Sequence, residues 1–289
     1  SDVAMVSPKY LSRPVVSLIM PAYNAEEYIA RSIDTALAQS FSDMEVIIVN
    51  DGSTDGTQTV IDWYAERYPQ VKAFYKENGG QASARNVGAE NAMGDYMALM
   101  DNDDMLRPNM IERLYDSITK HRCDIAMTSV YQIVNGRYEG ISEFSLPENT
   151  AVPMDDFFES YIRYAYPVIW NKLYRSELIK EHPFALVTYE DTAWTPYVLS
   201  YAENICYINE HLYEYDRTIR SSTAIHVSKS RSDEIQYIDR RDYIMFFLKN
   251  GNPQKKGLLK KLAMGYVWGF LGMYSDSKYK DLKEEIEKT

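Results

Sequence analysis

The stretch that decides the fold starts at Val15 and reads VVSLIM over residues 15–20, followed by PAYN over residues 21–24. The first six residues carry no charge and are mostly β-branched or otherwise apolar, which is typical of a strand buried on both faces of a sheet. Pro21 lacks the N–H that a central strand donates to its neighbour, so we expect the strand to end there.

A helix is predicted directly after this strand. Asn24 is a favoured N-cap residue, and Glu27 stands three positions later, as in a capping box. Apolar side chains then recur at the spacing of one helical face, at Ile29, Ile33 and Leu37. The chain is therefore predicted to enter the fold as a buried strand followed by an amphipathic helix.

The same alternation of strand and helix continues to about residue 105. Apolar runs predict strands over 44–49, 71–75 and 96–100, and helices are predicted around 60–68 and over 81–92. Buried strands joined by helices indicate an α/β fold with a mostly parallel sheet covered by helices on both faces. Ligands of such sheets bind beyond the carboxyl ends of the strands.

The composition is that of a globular protein without a strong affinity for nucleic acid. The chain has 289 residues, 45% of them hydrophobic, and a formal net charge of -11. Phosphate contacts need clustered Lys and Arg, so nucleic acid is not expected as the main partner. Two cysteines, Cys123 and Cys206, are too few for a disulfide framework and favour a reducing compartment.

Three parts are predicted along the chain: a flexible leader over 1–14, a main domain over 15–225 that divides near residue 105, and a helical, lysine-rich extension over 226–289. The leader lacks the basic-then-apolar order of a signal peptide. No segment approaches the roughly 20 apolar residues of a spanning helix. We therefore expect a cytoplasmic protein, with contact at the inner face of the membrane left open.

Polar clusters follow three predicted strands, over 21–24, 50–53 and 101–104, and we expect them to converge on one sheet edge. The run Asp101-Asn102-Asp103-Asp104 is the most informative. Alternate carboxylates of an extended Asp-x-Asp lie on one side, where they can hold a hard cation that also takes phosphate oxygens. The alternative is a surface turn that caps the next helix.

Two further segments carry candidate ligand contacts. Asp51 can accept a hydrogen bond from a base N–H, while Gly52 lets the backbone approach a ligand; a plain turn is the alternative. In GGQASARN over 79–86, Arg85 stands one turn into a predicted helix, from which its side chain could reach the sheet edge with the polar clusters. The alternative is a solvated helix arginine. This segment matches neither the dinucleotide fingerprint nor a Walker motif.

Taken together and in order, these motifs resemble those of family 2 glycosyltransferases, which have the GT-A fold. They are PAYN at 21–24, NDGSTDGT at 50–57, NGGQASARNVG at 78–88, DNDD at 101–104, WNKLY at 170–174 and ED at 190–191. The resemblance spans about residues 15–225, and the ordered run is specific although each motif alone is not. This chain has Asn50 where many relatives have an acidic residue. Any role of the relatives' carboxylate at that position is therefore not expected here.

The resemblance implies a nucleotide-sugar donor, usually a UDP-sugar, and inversion at the anomeric carbon. It places Asp51 on the base and makes Asp103, with Asp101, the ligands of Mn²⁺ or Mg²⁺. The residues implied for the nucleotide pocket are Pro21, Ala22, Tyr23, Asn24, Asp51, Ser53, Gly80, Arg85, Asp101 and Asn102.

On the acceptor side, the resemblance implies Asp191 as the general base, with Trp170, Lys172 and Glu190 nearby. Inversion by single displacement needs a base opposite the leaving group, and a carboxylate remote in sequence from the metal meets that need. The alternatives are that Asp191 is a helix N-cap and that Trp170 fills the core.

The segment after the base resembles the family's loop over the donor diphosphate. Arg217, Arg220 and Ser222 supply suitable donors there, and His226 is a candidate metal ligand. A solvated or core histidine is the alternative for His226.

Near the C-terminus, apolar residues recur at helical spacing over 258–274, beside lysines at 255–261. A basic amphipathic helix can lie on an anionic membrane, which would suit a lipid-linked acceptor. The alternative is a helix packed on the main domain. Membrane contact through 255–274 and the oligomeric state are both left open.

The function predicted is an inverting glycosyltransferase, of hexosyl or N-acetylhexosaminyl type, that moves a sugar from a UDP-sugar to a glycan or lipid-linked acceptor in polysaccharide or glycan biosynthesis. A non-catalytic sugar-nucleotide-binding scaffold is the alternative, and it would be expected to lack a metal ligand or the base. A sugar nucleotidyltransferase would be expected to have a glycine-rich basic loop where this chain has residues 21–24.

Overall fold

The structure is a computed structural model that describes residues 13–141, 146–164, 168–218, 233–269 and 276–289. The described strands all belong to one sheet. They are β1 Val16–Ala22, β2 Met44–Asp51, β3 Val71–Lys76, β4 Tyr96–Leu99, β5 Met105–Leu106, β6 Ile125–Val134, β7 Arg137–Ile141, β8 Ala151–Pro153, β9 Lys172–Arg175 and β10 Asn204–Asp216.

Helices cover the sheet and build the C-terminal extension. They are α1 Ile29–Leu37, α2 Thr57–Arg67, α3 Gln81–Asn91, α4 Met110–His121, α5 Met154–Tyr164, α6 Ser176–Glu181, α7 Glu190–Leu199, α8 Asp233–Asn250, α9 Lys256–Gly269 and α10 Asp276–Lys288. A short 3₁₀ turn, Pro253–Lys255, joins α8 to α9.

The first hundred residues form the parallel half of the sheet, in the order β3-β2-β1-β4. Every residue of β1 and β2 is buried, as expected for strands covered by helices on both faces. The register places Ala22 opposite Asn50, so both strands end at the same edge. This is the edge on which the sequence predicts the polar clusters.

The second half of the sheet is mixed. Strand β9 runs antiparallel to both of its neighbours, β4 and β6. Strand β10 runs parallel to β6 but antiparallel to β5 and β8. The chain is therefore an α/β protein whose sheet is parallel in its first half and mixed in its second.

Two local predictions near the first strand are wrong. The strand does not end at Pro21 but continues to Ala22, with Pro21 paired in register with Val49. Asn24 is not a helix N-cap: its φ is 47°, and α1 begins only at Ile29, after Tyr28. The side chain of Asn24 accepts from the Thr54 N–H instead, because a neighbouring loop offers a donor before the helix starts.

The extension packs against the main domain. Leu259, Leu262 and Val267 of α9 are buried. Lys255 pairs with Asp155 and Lys261 with Glu159, both on α5. The packed alternative therefore holds for the described part of this helix.

Within the described ranges, no helix has both the length and the apolar character needed to cross a membrane.

Candidate functional site

The polar clusters predicted to converge do meet at the carboxyl edge of the parallel half. The Asn24 N–H donates to Ser53 Oγ at 3.0 Å, which joins the first cluster to the second. Asn102 Nδ2 donates to the Pro21 carbonyl at 2.8 Å, which joins the third cluster to the first. Ala22, at the end of β1, is buried, whereas the next residue, Tyr23, is exposed.

Asp51 is buried at the end of β2 and holds the turn that precedes α3. Its Oδ1 accepts from Lys76 Nζ at 2.6 Å and from the Gly79 N–H at 2.9 Å. Its Oδ2 accepts from the Gly80 N–H at 2.7 Å. Gly80 has a φ of +87°, a left-handed conformation that favours glycine. The carboxylate therefore fixes the turn and keeps acceptor capacity on Oδ2.

The acidic turn after β4 is the candidate metal centre. Carboxylate oxygens of Asp101, Asp103 and Asp104 all lie within 4.8 Å of one another. Burial and then the charge of Asp101 raise the pKa of Asp103 to about 7. Burial and then the charges of Asp103 and Asp101 raise the pKa of Asp104 well above its usual value. Closely spaced anionic oxygens of this kind suit a hard divalent cation.

Within this turn, Asp104 has a supporting position. Its Oδ2 accepts from the Tyr213 hydroxyl at 2.6 Å, and its Oδ1 accepts from the Asp216 N–H at 3.0 Å. Both donors belong to β10. Asp101 and Asp103 are only partly buried, so they are the members of the group that stay accessible to solvent.

Helix α1 holds the same turn from the other side, through residues that the sequence analysis missed. Arg31 donates to the Asp103 carbonyl at 2.8 Å and pairs with Asp216 at 2.9 Å. The Ser32 hydroxyl, which is fully buried, contacts the carbonyls of Asn102 and Asp104. The sequence did contain an indication for Ser32, because it is a polar residue on the apolar face of α1.

Arg85 joins the acidic turn to the helix that carries Asp191. Its guanidinium pairs with Asp101 at 2.8 Å and with Glu190 at 2.5 Å. The Arg85 side chain is 2% exposed. Burial lowers its pKa, but the charges of Asp101 and Glu190 outweigh burial and raise it above the usual value. A permanently charged residue thus bridges the acidic turn and the first turn of α7.

Asp191 is the second residue of α7. The N-cap is Tyr189, with a φ of 59°, so the alternative that Asp191 caps the helix is wrong. Oδ1 of Asp191 accepts from the Thr192 N–H at 2.7 Å. Burial, then the charge of Glu190, raises the pKa of Asp191 to about 6, although the Thr192 N–H and Arg85 act in the opposite direction.

Trp170 and Lys172, which were also predicted for the acceptor side, are buried. Trp170 stacks on Tyr213 with ring centroids 4.2 Å apart. Lys172 donates to the Val168 carbonyl at 2.6 Å and to Asn171 Oδ1 at 2.7 Å. Trp170 thus lies directly behind the tyrosine that bonds Asp104.

Of the residues predicted for the diphosphate loop, Arg217 is exposed and directly follows Asp216. Arg220, Ser222 and His226 lie outside the described residues, so their roles stay predictions.

Comparison with protein families finds a match to the model described as "Glycosyl transferase family 2" over residues 17–185. EpsJ, an uncharacterized glycosyltransferase of Bacillus subtilis (strain 168), is 31% identical over 234 residues, which are 77% of this chain and 67% of EpsJ. The glycosyltransferase GlyA of Streptococcus pneumoniae serotype 4 is 28% identical over 212 residues, which are 69% of this chain but only 30% of GlyA.

Two solved structures share the fold. TarS 1–349 of S. aureus, in complex with UDP-GlcNAc, superposes with a TM-score of 0.73 at 24% identity, covering 89% of this chain and 73% of that chain. The mannosyltransferase PcManGT of Pyrobaculum calidifontis, in complex with GDP-Man and Mn²⁺, has a TM-score of 0.60 at 16% identity, covering 97% and 82%. At these identities the likeness establishes the fold.

Proposed function

The chain belongs to glycosyl transferase family 2, and from that premise we propose that it moves a sugar from a UDP-sugar to a hydroxyl of a glycan or lipid-linked acceptor, with inversion. The observation that carries the proposal is the ion-pair bridge from Asp101 through Arg85 to Glu190. This bridge holds the acidic turn beside the first turn of α7. The proposed catalytic domain spans 15–225.

The hydrogen bonds that Asp51 already accepts support uracil as the base. A carboxylate offers about four acceptor positions, and three are taken by Lys76, Gly79 and Gly80. The remaining position on Oδ2 suits the single ring N–H of uracil. Guanine presents two adjacent N–H donors and would need both oxygens. Pro21, Tyr23, Asn24 and Ser53 are proposed to shape the rest of the nucleotide pocket.

The residues of the acidic turn fit a divalent cation of the Mn²⁺ or Mg²⁺ class, because the donor set is oxygen alone. Asp103 and Asp101 would hold the ion. Asp104 would keep the turn in place through the hydrogen bonds that it accepts from β10. When bound, such an ion stabilises the negative charge of the leaving diphosphate. Arg217, Arg220, Ser222 and His226 are proposed to assist at the same diphosphate.

Asp191 is proposed as the general base. A carboxylate with a pKa of about 6 is mostly charged at neutral pH and accepts a proton more readily than one of ordinary acidity. Through its ion pair with Arg85, Glu190 fixes the position of α7 and thereby of Asp191. Trp170 and Lys172 are proposed to support the acceptor side from the core behind it.

Calorimetric titration with UDP and with GDP, each with and without Mn²⁺, tests the donor site. We expect metal-dependent binding of UDP, weaker binding of GDP, and loss of UDP binding in Asp103→Ala. The matched control is Asp116→Ala, which removes an exposed carboxylate on α4. If the affinity for UDP is the same with and without Mn²⁺ and in Asp103→Ala, the metal-dependent mechanism is rejected.

Transfer is tested separately, with a panel of UDP-sugars and detection of released UDP. Asp191→Asn is expected to bind UDP like the wild type and to lose transfer. An Asp191→Asn variant that still transfers sugar would remove Asp191 from its proposed role.

A further inference from the structure

Lys76 is the last residue of β3 and lies beside Asp51, the last residue of β2. The two residues are partners in the register of the parallel strands. Lys76 Nζ donates to Asp51 Oδ1 at 2.6 Å and to the Glu77 carbonyl at 2.6 Å. An ammonium has three donors, so one N–H of Lys76 is left over by its contacts with the described residues. The side chain is 19% exposed, so the ammonium is not sealed into the core.

The absence of a side chain at residue 79 leaves room for this ammonium. A Cβ added to Gly79 would lie 2.9 Å from Lys76 Nζ and 3.0 Å from Ser83 Oγ. The Gly79 N–H meanwhile donates to the same carboxylate oxygen, Asp51 Oδ1. Among the described residues, Oδ1 is therefore held by an ammonium and a backbone N–H, whereas Oδ2 accepts from the Gly80 N–H.

A structural ion pair is the plainest account of Lys76, and the same two strands contain one. Near the opposite edge of the sheet, Lys72 of β3 pairs with Glu45 of β2, whose side chain is 3% exposed. A buried carboxylate needs a compensating charge at either edge. The difference is that Asp51 also keeps an acceptor position on Oδ2 for the nucleotide base proposed above.

The ammonium on Oδ1 affects which base can use that position. The ring N–H of uracil lies between two carbonyl groups, so a uracil that donates to Oδ2 turns a carbonyl oxygen toward the Oδ1 side in either orientation. The free N–H of Lys76 offers that oxygen a donor. Guanine, with both of its N–H donors facing the carboxylate, turns an amino group toward Oδ1, where both acceptor positions are taken by Lys76 and Gly79.

We propose that Lys76 is a specificity-determining residue that selects uracil over guanine at Asp51. Its remaining N–H donates to the uracil carbonyl next to the ring N–H, and its bond to Oδ1 closes that oxygen to the guanine amino group. This inference rests on the proposed function, because it requires the donor nucleotide to bind at Asp51. Without Lys76, the carboxylate would offer a free position on each oxygen, which suits the two adjacent donors of guanine.

The test is calorimetric titration of the wild type, Lys76→Met and Lys72→Met with UDP and with GDP, in the presence of Mn²⁺. The quantity compared is the ratio of the two dissociation constants. We expect the wild type to prefer UDP and the preference to fall by about tenfold or more in Lys76→Met, the factor that a hydrogen bond to a charged group is worth. Lys72→Met is the matched control, because it also leaves a buried carboxylate of β2 without its lysine, and its ratio should equal that of the wild type.

Gly79→Ala is a second variant, which decides the matter if Lys76→Met does not fold. Its added Cβ displaces the ammonium while the charge and the backbone N–H stay in the protein, so the preference for UDP should again fall. A merely structural role of Lys76 would lower the affinities for UDP and GDP by the same factor. An unchanged ratio in the folded variants therefore overturns the proposal.

The outcomes also separate this inference from the proposed function. If the wild type prefers UDP and the Lys76 and Gly79 variants keep that preference, the role of Lys76 alone is rejected. If the wild type binds neither nucleotide, or prefers GDP, the UDP-sugar donor is rejected and the role of Lys76 with it.

Discussion

Arg85 and Glu190 lie 105 positions apart in the chain and form an ion pair of 2.5 Å. The same guanidinium pairs with Asp101 at 2.8 Å. Because a guanidinium is planar and has five donors in fixed directions, one side chain can hold two carboxylates in a defined arrangement. The acidic turn and the start of α7 therefore cannot separate without breaking a buried charge pair.

Replacing Arg85 should be costly. Arg85→Met leaves two partly buried carboxylates unpaired, so the free energy of unfolding should fall by about 3 kcal/mol. The control is Arg113→Met, which removes a pair with Glu210 in which both side chains are about 40% exposed; its cost should stay below about 1 kcal/mol. Urea denaturation at pH 7 measures both, and equal losses would contradict the importance of the bridge.

The rate of transfer should fall as the pH drops through about 6. Asp191 can accept a proton only in its charged form, and its pKa is raised to about 6. The measurement is kcat between pH 5 and pH 8 with saturating UDP-sugar. A rate that stays flat to pH 5 would show that another group takes the proton.

Asp191 should also make stability depend on pH. Its folded pKa is raised from 3.8, so its contribution to stability is present at low pH and is lost as the pH rises through about 6. Asp191→Asn should therefore match the wild type near pH 4 and exceed it at pH 8, by on the order of 2 kcal/mol. Unfolding curves at both pH values measure the difference. A wild type that is the more stable at pH 8 would reverse the expected sign.

A side chain at Gly52 should be destabilising both through backbone strain and through a steric clash. A comparison with Gly136, which has the same strain but no clash, separates the two effects. Gly52 has a φ of +71°, and an added Cβ would lie 2.7 Å from the Asn78 nitrogen. Gly136 has a φ of +75°, but an added Cβ there would meet nothing within 4 Å. Gly136→Ala should cost about 1 kcal/mol through backbone strain alone and leave UDP binding unchanged.

Gly52→Ala should cost more than Gly136→Ala and should weaken UDP binding. The clash displaces the turn whose N–H groups bond Asp51. Denaturation and UDP titration of both variants measure the two effects. Equal costs and equal affinities would show that the contact with Asn78 relaxes freely.

The extension should behave as part of the core. Leu262 of α9 is fully buried, whereas Leu258 is only partly buried. Leu262→Ala should therefore lower the free energy of unfolding by about 3 kcal/mol, and Leu258→Ala by clearly less. A single unfolding transition is expected for both. Separate melting of the extension would show that it folds independently of the main domain.

The parallel half was predictable because its signals are local. Uncharged β-branched runs such as residues 15–20 have few alternatives to a buried strand. The meeting of Asn24, Ser53 and Asn102 at one edge then follows from the geometry of parallel strands alone. These three residues were placed correctly, and so was the helix that carries Ile29, Ile33 and Leu37, although Asn24 does not cap it.

The mixed half of the sheet and the contacts that hold the acidic turn depend on residues far apart in the chain, which no local pattern encodes. The antiparallel course of β9 is set by its neighbours β4 and β6, and a strand of four residues carries no direction in its composition. The bonds from Arg31 to Asp103 and Asp216 cross the fold. An arginine on an amphipathic helix gives no indication of such partners, since most helix arginines are solvated.

Asp104 receives its two hydrogen bonds from residues 109 and 112 positions later in the chain. A ribosome adds residues from the N-terminus at roughly 5–20 per second. A nascent chain that has emerged only as far as α4 therefore contains the whole parallel half, yet its acidic turn still lacks Tyr213 and Asp216. The acidic turn thus acquires these two hydrogen bonds only after β10 has been synthesised and has taken its place in the sheet.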